Sequence, residues 1–322
     1  MTHPPAEWAP LARMFTAFPS HEQLWQADLA PARAEVAAMV NALTQAVPVT
    51  VLAHGPESVA AARAACPEAS VEDIGFGDIW LRDTGPIFLS GTQAARFRFN
   101  GWGGKYDLPH DDSVGAHIAG LQGAAVTLHD FVLEGGALEH DGNGLFITTE
   151  QCLLNPNRNP GWTRDSAKKA LALALGARRL LWLGDGLVAD HTDGHVDNLA
   201  RFVAPGTVAV PMPAGDDDPN AAIFHDAAVR LRAAGLVVVP MLSVGLYEVD
   251  GAVVPASYMN WVIANGLVVV PLYGAENDAV AVAALRRLFP RHKVVGLPAM
   301  HILTGGGSFH CITQHVPVEG AR

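Results

Sequence analysis

One pattern constrains the fold of this chain more than any other. A short apolar strand, a loop, an amphipathic helix and a second short strand recur five times. The copies are expected at 47–53, 57–66 and 70–74; at 94–99, 113–122 and 124–129; at 145–149, 163–175 and 179–183; at 207–211, 220–234 and 236–242; and at 267–271, 277–289 and 293–297. Gly176 and Gly235 stand where the third and fourth helices should stop, and Pro290 follows the fifth, which it cannot continue. The units start roughly 47 to 62 residues apart, a recurrence that marks a stacked or radial array. An ordinary doubly wound parallel sheet has a similar alternation and remains the competing arrangement.

The residues directly after each unit favour the array. After the first comes Asp78-Ile79-Trp80-Leu81-Arg82-Asp83, after the second Glu134-Gly135-Gly136, and after the third Asp193-Gly194-His195-Val196-Asp197. After the fourth comes Ser257-Tyr258-Met259-Asn260, and after the fifth Gly305-Gly306-Gly307-Ser308-Phe309-His310-Cys311. Chemistry-capable residues thus recur at one phase of the repeat. In a radial arrangement they would share one central cavity; in a linear one they would spread along a face.

Bulk properties limit the partners. Half of the 322 residues are hydrophobic and 16% are charged, which suits a globular protein with a large core. A net charge of −11 argues against nucleic acid or an anionic membrane as partner. The apolar runs are far too short to span a bilayer, and the N-terminal residues carry no signal-peptide pattern. Three cysteines, Cys66, Cys152 and Cys311, give no disulfide framework and fit a reducing cytoplasm. Cys66 and Cys152 read as small buried apolar residues.

Cys311 reads differently. A glycine run permits backbone conformations and close approaches that side chains forbid, and it would weaken a core strand. A glycine-built turn presenting one thiol points to a nucleophile, activated by a nearby imidazolium or a cationic substrate. His310, adjacent in an extended segment, would face away from Cys311 and reads as structural. His195 is the better base. If 193–197 is a strand, Asp193, His195 and Asp197 share one face, where a carboxylate would orient the imidazole. The same spacing could also hold a divalent ion. Asp83 is expected at a strand end, as a ligand group or as a turn cap or partner of Arg82. Glu134, at the end of an apolar run, needs a partner: a substrate cation, His195 or a local ion pair. Carboxylates match the planar donors of a guanidinium and leave its central carbon open to sulfur.

These motifs, with Phe97-Arg98-Phe99-Asn100-Gly101-Trp102-Gly103-Gly104-Lys105-Tyr106, resemble the agmatine deiminase family, related to the bacterial peptidylarginine deiminase type. They occur in the expected order along nearly the whole chain. The resemblance implies the pentein fold, a five-bladed α/β-propeller formed here by one catalytic domain over 1–322. It implies no metal and no organic cofactor, a small cationic guanidino substrate, and leaves room for a homodimer. Cys311 would attack the guanidinium carbon to give a covalent amidino-thioether, and His195 would protonate departing ammonia and then activate water. Asp83 and Asp197 would hold the guanidinium nitrogens, Glu134 would assist, Asp78 would join the substrate binders, and Trp102 would wall the channel. Agmatine would yield N-carbamoylputrescine. The alternatives are another guanidino substrate (arginine or peptidyl-arginine), an amidinotransferase of the same fold, or a guanidine-binding protein without catalysis.

Overall fold

All five units form, each within a few residues of its expected bounds. The computed structural model describes residues 3–321. The strand–helix–strand units are Val49–Ala53, Pro56–Ala65 and Ser70–Asp73; Gln93–Arg98, Val114–Gln122 and Ala125–Val132; Leu145–Thr149, Arg164–Leu175 and Arg179–Leu183; Thr207–Met212, Ala221–Ala233 and Val237–Leu242; and Leu267–Leu272, Asp278–Leu288 and Lys293–Pro298. Within each, the two strands lie side by side and parallel, and the helix is the crossover. The first strand of a pair is the covered one and reads as an apolar run: Val49–Ala53 is buried at every residue, while its parallel partner Ser70–Asp73 is not. Local chemistry sets the helix ends. Thr163 and Ser166 cap each other's backbone at the start of the third helix, and Gly176 ends it in the left-handed region at φ 65°.

The parallel pairs stay in separate mixed sheets, which overturns the doubly wound alternative. Each sheet also holds a strand absent from the expected pattern. Ile87–Phe88, Glu139–His140, Arg201–Ala204 and Val262–Ala264 each run antiparallel to the first strand of the next unit. At two to four residues they are too short to show a period. The first sheet has four strands instead: Thr313–Pro317, Leu11–Ala17, Val49–Ala53 and Ser70–Asp73. There the last strand of the chain pairs antiparallel with the first, Thr16 opposite Thr313.

The cores lie between units rather than within them. One apolar cluster joins the second unit to the third through Ala95, Leu133, Phe146 and Leu171. Another joins the third to the fourth through Ile147, Leu183, Val208 and Phe224. A third joins the fourth to the fifth through Ala209, Met241, Val268 and Leu285. The largest contains Val51 of the first unit, Ala94 of the second and Val269 of the fifth. Among the described residues no helix is long and apolar enough to cross a membrane.

Candidate active site

The pairing of the two chain ends places Cys311. It lies two residues before the strand Thr313–Pro317, and Thr16 Oγ1 holds the neighbouring Ile312 carbonyl at 2.9 Å. Arg82 N–H donates to the Cys311 carbonyl at 3.0 Å. Asn260, from the loop after the fourth unit, accepts from the backbone N–H of His310 (2.8 Å) and of Cys311 (3.2 Å). Its amide also donates to Cys311 Sγ at 3.2 Å. The glycine run gives its backbone to the same cavity as the thiol. A β-carbon on Gly305 or Gly307 would come within 2.8 or 2.6 Å of the Trp80 indole, and Gly306 has φ +102°, so side chains are excluded by packing and by backbone.

That cavity, of about 210 Å³, is lined by Cys311, Asp83, Asp78, Trp80, Trp102, Tyr106, Leu24, Leu108, His191, Thr192 and Thr304 with the three glycines. Among the described residues no lysine or arginine lines it. Asp83 belongs to a short helix, Leu81–Thr84, not to the expected strand end. Its Oδ2 accepts from the Trp102 indole at 2.9 Å and its Oδ1 from Gly136 N–H at 2.9 Å. Arg82 is not its partner: that guanidinium pairs with Glu7 at 3.2 Å, away from the cavity. Asp78 lines the cavity with its carboxylate already engaged by the Trp25 (3.1 Å) and Trp80 (2.8 Å) indoles and the Ile79 N–H (2.8 Å).

The segment 193–197 is not a strand. Asp193 and Gly194 both have positive φ, 62° and 83°, and a one-turn helix, Val196–Asn198, follows. The left-handed pair breaks the pleat, so the expected common face of Asp193, His195 and Asp197 does not form. Asp193 turns away to Lys105 at 2.6 Å, and also pairs with Arg158. His195 and Asp197 nevertheless converge with Asp83. A β-carbon on Gly136 would sit 2.6 Å from His195 Nδ1, 2.9 Å from Asp83 Oδ1 and 3.1 Å from Asp197 Oδ2. The glycine pair after Glu134 is therefore the space in which these three side chains meet.

Asp197 Oδ2 lies 3.7 Å from Cys311 Sγ and is held by His310 Nδ1 at 2.8 Å. Its Oδ1 is buried with no hydrogen-bond partner. His310 and Cys311 lie in a turn and not in the expected extended segment, and both approach the same Asp197 oxygen. The imidazole links Asp197 to Glu7, whose Oε1 meets His310 Nε2 at 2.7 Å. Glu7 also pairs with Arg201. Glu134 has the local ion pair: Arg158 Nε meets Oε1 at 2.7 Å, both side chains 1% exposed. Cys152 is buried, as expected, but it is more than apolar filler, because its thiol lies within 4.8 Å of donor atoms of both Glu134 and His195.

Glu7 and Arg158 escape sequence reading. Glu7 lies in a proline-containing segment outside the repeat and carries no signal. Arg158 stands in Asn155-Pro156-Asn157-Arg158-Asn159-Pro160, a turn-rich stretch whose lone cation was the available clue.

The electrostatics are uneven. Burial, Asp197 and Asp83 together push the Cys311 thiol well above its ordinary pKa. Burial, aided by Asp197 and Glu134, also raises Asp83. Burial opposes charge on Asp197, but His310 outweighs it and keeps that carboxylate below the usual range. Burial likewise opposes the His195 imidazolium, yet Asp83, Cys152 and Glu134 hold its pKa well above the ordinary histidine value. The carboxylates of the site thus disfavour the Cys311 thiolate and favour the His195 imidazolium.

A family model described as Porphyromonas-type peptidyl-arginine deiminase matches residues 3–317, and the chain belongs to that family. Its curated relatives include the agmatine deiminases of Stutzerimonas stutzeri (strain A1501), 37% identical over 99% of this chain and 96% of the relative, and of Pseudomonas aeruginosa (strain LESB58), 37% identical over 97% and 95%. Among solved structures, the agmatine deiminase of Enterococcus faecalis superposes with a TM-score of 0.93 at 31% identity, over 98% of this chain and 96% of that one. A C. jejuni agmatine deiminase with substrate bound gives 0.93 at 26% identity, over 99% and 97%. These neighbours share the pentein fold with mixed α/β sheets.

Proposed function

We propose that this chain is an agmatine deiminase, hydrolysing the guanidinium of agmatine to the ureido group of N-carbamoylputrescine with release of ammonia. One observation carries the reading: a cavity that holds the Cys311 thiol and the Asp83 carboxylate and is lined by no lysine or arginine. A buried carboxylate there favours a cation, and the unpartnered Asp197 Oδ1 offers a second planar acceptor. Two carboxylates on the guanidinium nitrogens leave the central carbon facing sulfur. Free arginine would bring an α-carboxylate for which the lining provides no lysine or arginine; agmatine brings none.

In this reading the bound cation offsets Asp83 and Asp197, and the Cys311 thiol gives its proton to solvent water in the cavity. Sulfur bonds to the guanidinium carbon to give a tetrahedral adduct. His195 gives its proton to the departing nitrogen, the carbon–nitrogen bond breaks, and ammonia leaves an amidino-thioether. Neutral His195 then takes a proton from water as that water attacks the same carbon. The adduct hydroxyl gives its remaining proton to sulfur as the carbon–sulfur bond breaks, so the Cys311 thiol is restored and the ureido product leaves. Glu134, fixed by Arg158, stabilises the imidazolium, and Trp102 fixes Asp83. We read the separate sheets as five blades of one closed propeller spanning 1–322. Apolar clusters joining each unit to the next, and the fifth back to the first, support it, and the three free cysteines fit a reducing cytoplasm.

The test is a substrate panel of agmatine, arginine and a peptide ending in arginine. Agmatine should release ammonia stoichiometric with ureido product, and Cys311→Ala should abolish it. Faster turnover of arginine, or a guanidino product formed only with added amine, would overturn the reading.

A further inference from the structure

Cys152 has no part in that chemistry, yet it is placed with care. It sits in the short helix Glu150–Leu153, whose N-cap Thr149 accepts from its N–H at 3.2 Å. One donor atom each from Glu134, Cys152 and His195 lie within 4.8 Å of one another, and all three residues are at most 1% exposed. His195 Nε2 is buried with no hydrogen-bond partner.

A carboxylate oxygen, a thiolate sulfur and an imidazole nitrogen form a donor set suited to zinc, with a fourth position left open. Tetrahedral bond lengths place such donors about 3.3–3.6 Å apart, so a modest contraction would close them on an ion. An outer shell is already in place: Arg158 Nε holds Glu134 Oε1 at 2.7 Å, as a ligating carboxylate requires. That guanidinium would weaken the affinity for a dication, an effect that its pairing with Asp193 reduces. The route in is the substrate cavity, since Asp83 lines it and lies 3.7 Å from His195 Nδ1.

We propose that Glu134, Cys152 and His195 form a reversible inhibitory site for a soft divalent cation, Zn²⁺ or Cd²⁺. Binding forms metal–oxygen, metal–sulfur and metal–nitrogen bonds to Glu134, Cys152 and His195, displaces waters from the aqua ion and releases the protons on the thiol and imidazole, with no change of oxidation state. It silences turnover because the captured imidazole can no longer move protons, a consequence that rests on the role proposed above for His195.

The test uses the full chain and Cd²⁺, whose thiolate complexes absorb in the ultraviolet. Cys311→Ala should still develop the charge-transfer band at one equivalent, and the Cys152→Ala/Cys311→Ala double variant should not. No band in Cys311→Ala, or an unchanged band in the double variant, overturns the proposal. In parallel, Zn²⁺ inhibition of Cys152→Ala, relative to its own metal-free rate, should need about tenfold more metal than in the unaltered chain. Equal sensitivity overturns the proposal and places the ion on Cys311. Cys152→Ser serves where the alanine variant fails to fold. The Cd²⁺ band needs no turnover, so it reports on the site even if the substrate panel sinks the deiminase reading.

Discussion

Replacing Glu7 by glutamine probes the network beneath the nucleophile. Glu7 Oε1 meets His310 Nε2 at 2.7 Å, and His310 Nδ1 meets Asp197 Oδ2 at 2.8 Å. Burial opposes charge on Glu7, but His310, Arg201 and Arg82 together hold its pKa well below the usual carboxylate range, and Asp197 is likewise depressed. The His310 ring thus bridges the two carboxylates through its two nitrogens. Glutamine turns one charge-assisted bond into a neutral one, a loss of about 1 kcal/mol. It also removes the counter-charge of two buried guanidiniums, Arg82 and Arg201. Breaking a buried pair costs about 3–5 kcal/mol, but Arg201 keeps Glu139 at 3.1 Å, so a net destabilisation of about 2–3 kcal/mol is expected. Because His310 then grips Asp197 less firmly, kcat/KM for agmatine should fall roughly 10- to 100-fold, or about 1.4–2.7 kcal/mol. Urea unfolding and steady-state kinetics measure the two effects. A depressed carboxylate stabilises the fold above its unfolded pKa of about 4.3, and that contribution is lost as pH falls through the folded value. The variant should therefore lose less stability than the parent on acidification. Destabilisation with kcat/KM within about twofold of the parent, well under 1 kcal/mol, would show that Glu7 supports the fold alone and would refute the positioning role.

Three further substitutions test neighbouring parts of the site. Gly136→Ala places a methyl 2.6 Å from His195 Nδ1 and should lower kcat by about 100-fold or more, since small displacements of reacting groups cost that much; near-parental turnover would show that the three side chains do not meet there. Asp83→Asn removes a charge that raises the Cys311 thiol, so iodoacetamide should alkylate Cys311 faster at neutral pH while deimination falls; slower alkylation would contradict the electrostatics. Arg158→Gln leaves Glu134 without its guanidinium partner and should cost about 3–5 kcal/mol by urea unfolding, whereas an unchanged midpoint would remove Arg158 from the support of Glu134.

Regular elements and site residues differed in how far sequence exposed them. The five units were legible because most of their first strands are buried apolar runs and their helices end at or beside glycine or proline. The antiparallel strands were not, because a pair such as Ile87–Phe88 is shorter than the period that would reveal it. Cys311, Asp83 and His195 were legible from residue type and repeat phase. The stated reason for grouping His195 with Asp197 failed: period-two alternation assumes a pleat, and two left-handed residues abolish it. The pair meets through Gly136, a feature of packing and not of spacing. Glu7 was invisible because its partners His310, Arg82 and Arg201 lie far along the chain, and only the assembled core places them together.

Repeat phase and charge together explain why the chemistry sits where it does. Each unit turns its trailing loop inward, and the loops bring Asp83, Glu134, His195, Asp197, Asn260 and Cys311 into one neighbourhood. Burial and the carboxylates collected there push the Cys311 thiol well above its ordinary pKa. In the proposed reaction a bound guanidinium reverses this, because a cation offsetting Asp83 and Asp197 removes the charges that oppose thiolate formation. The carboxylates that select the substrate are then also the groups whose neutralisation arms the sulfur. A neutral isostere of agmatine would occupy the same cavity without making that change, so it should leave the pH dependence of Cys311 alkylation unmoved.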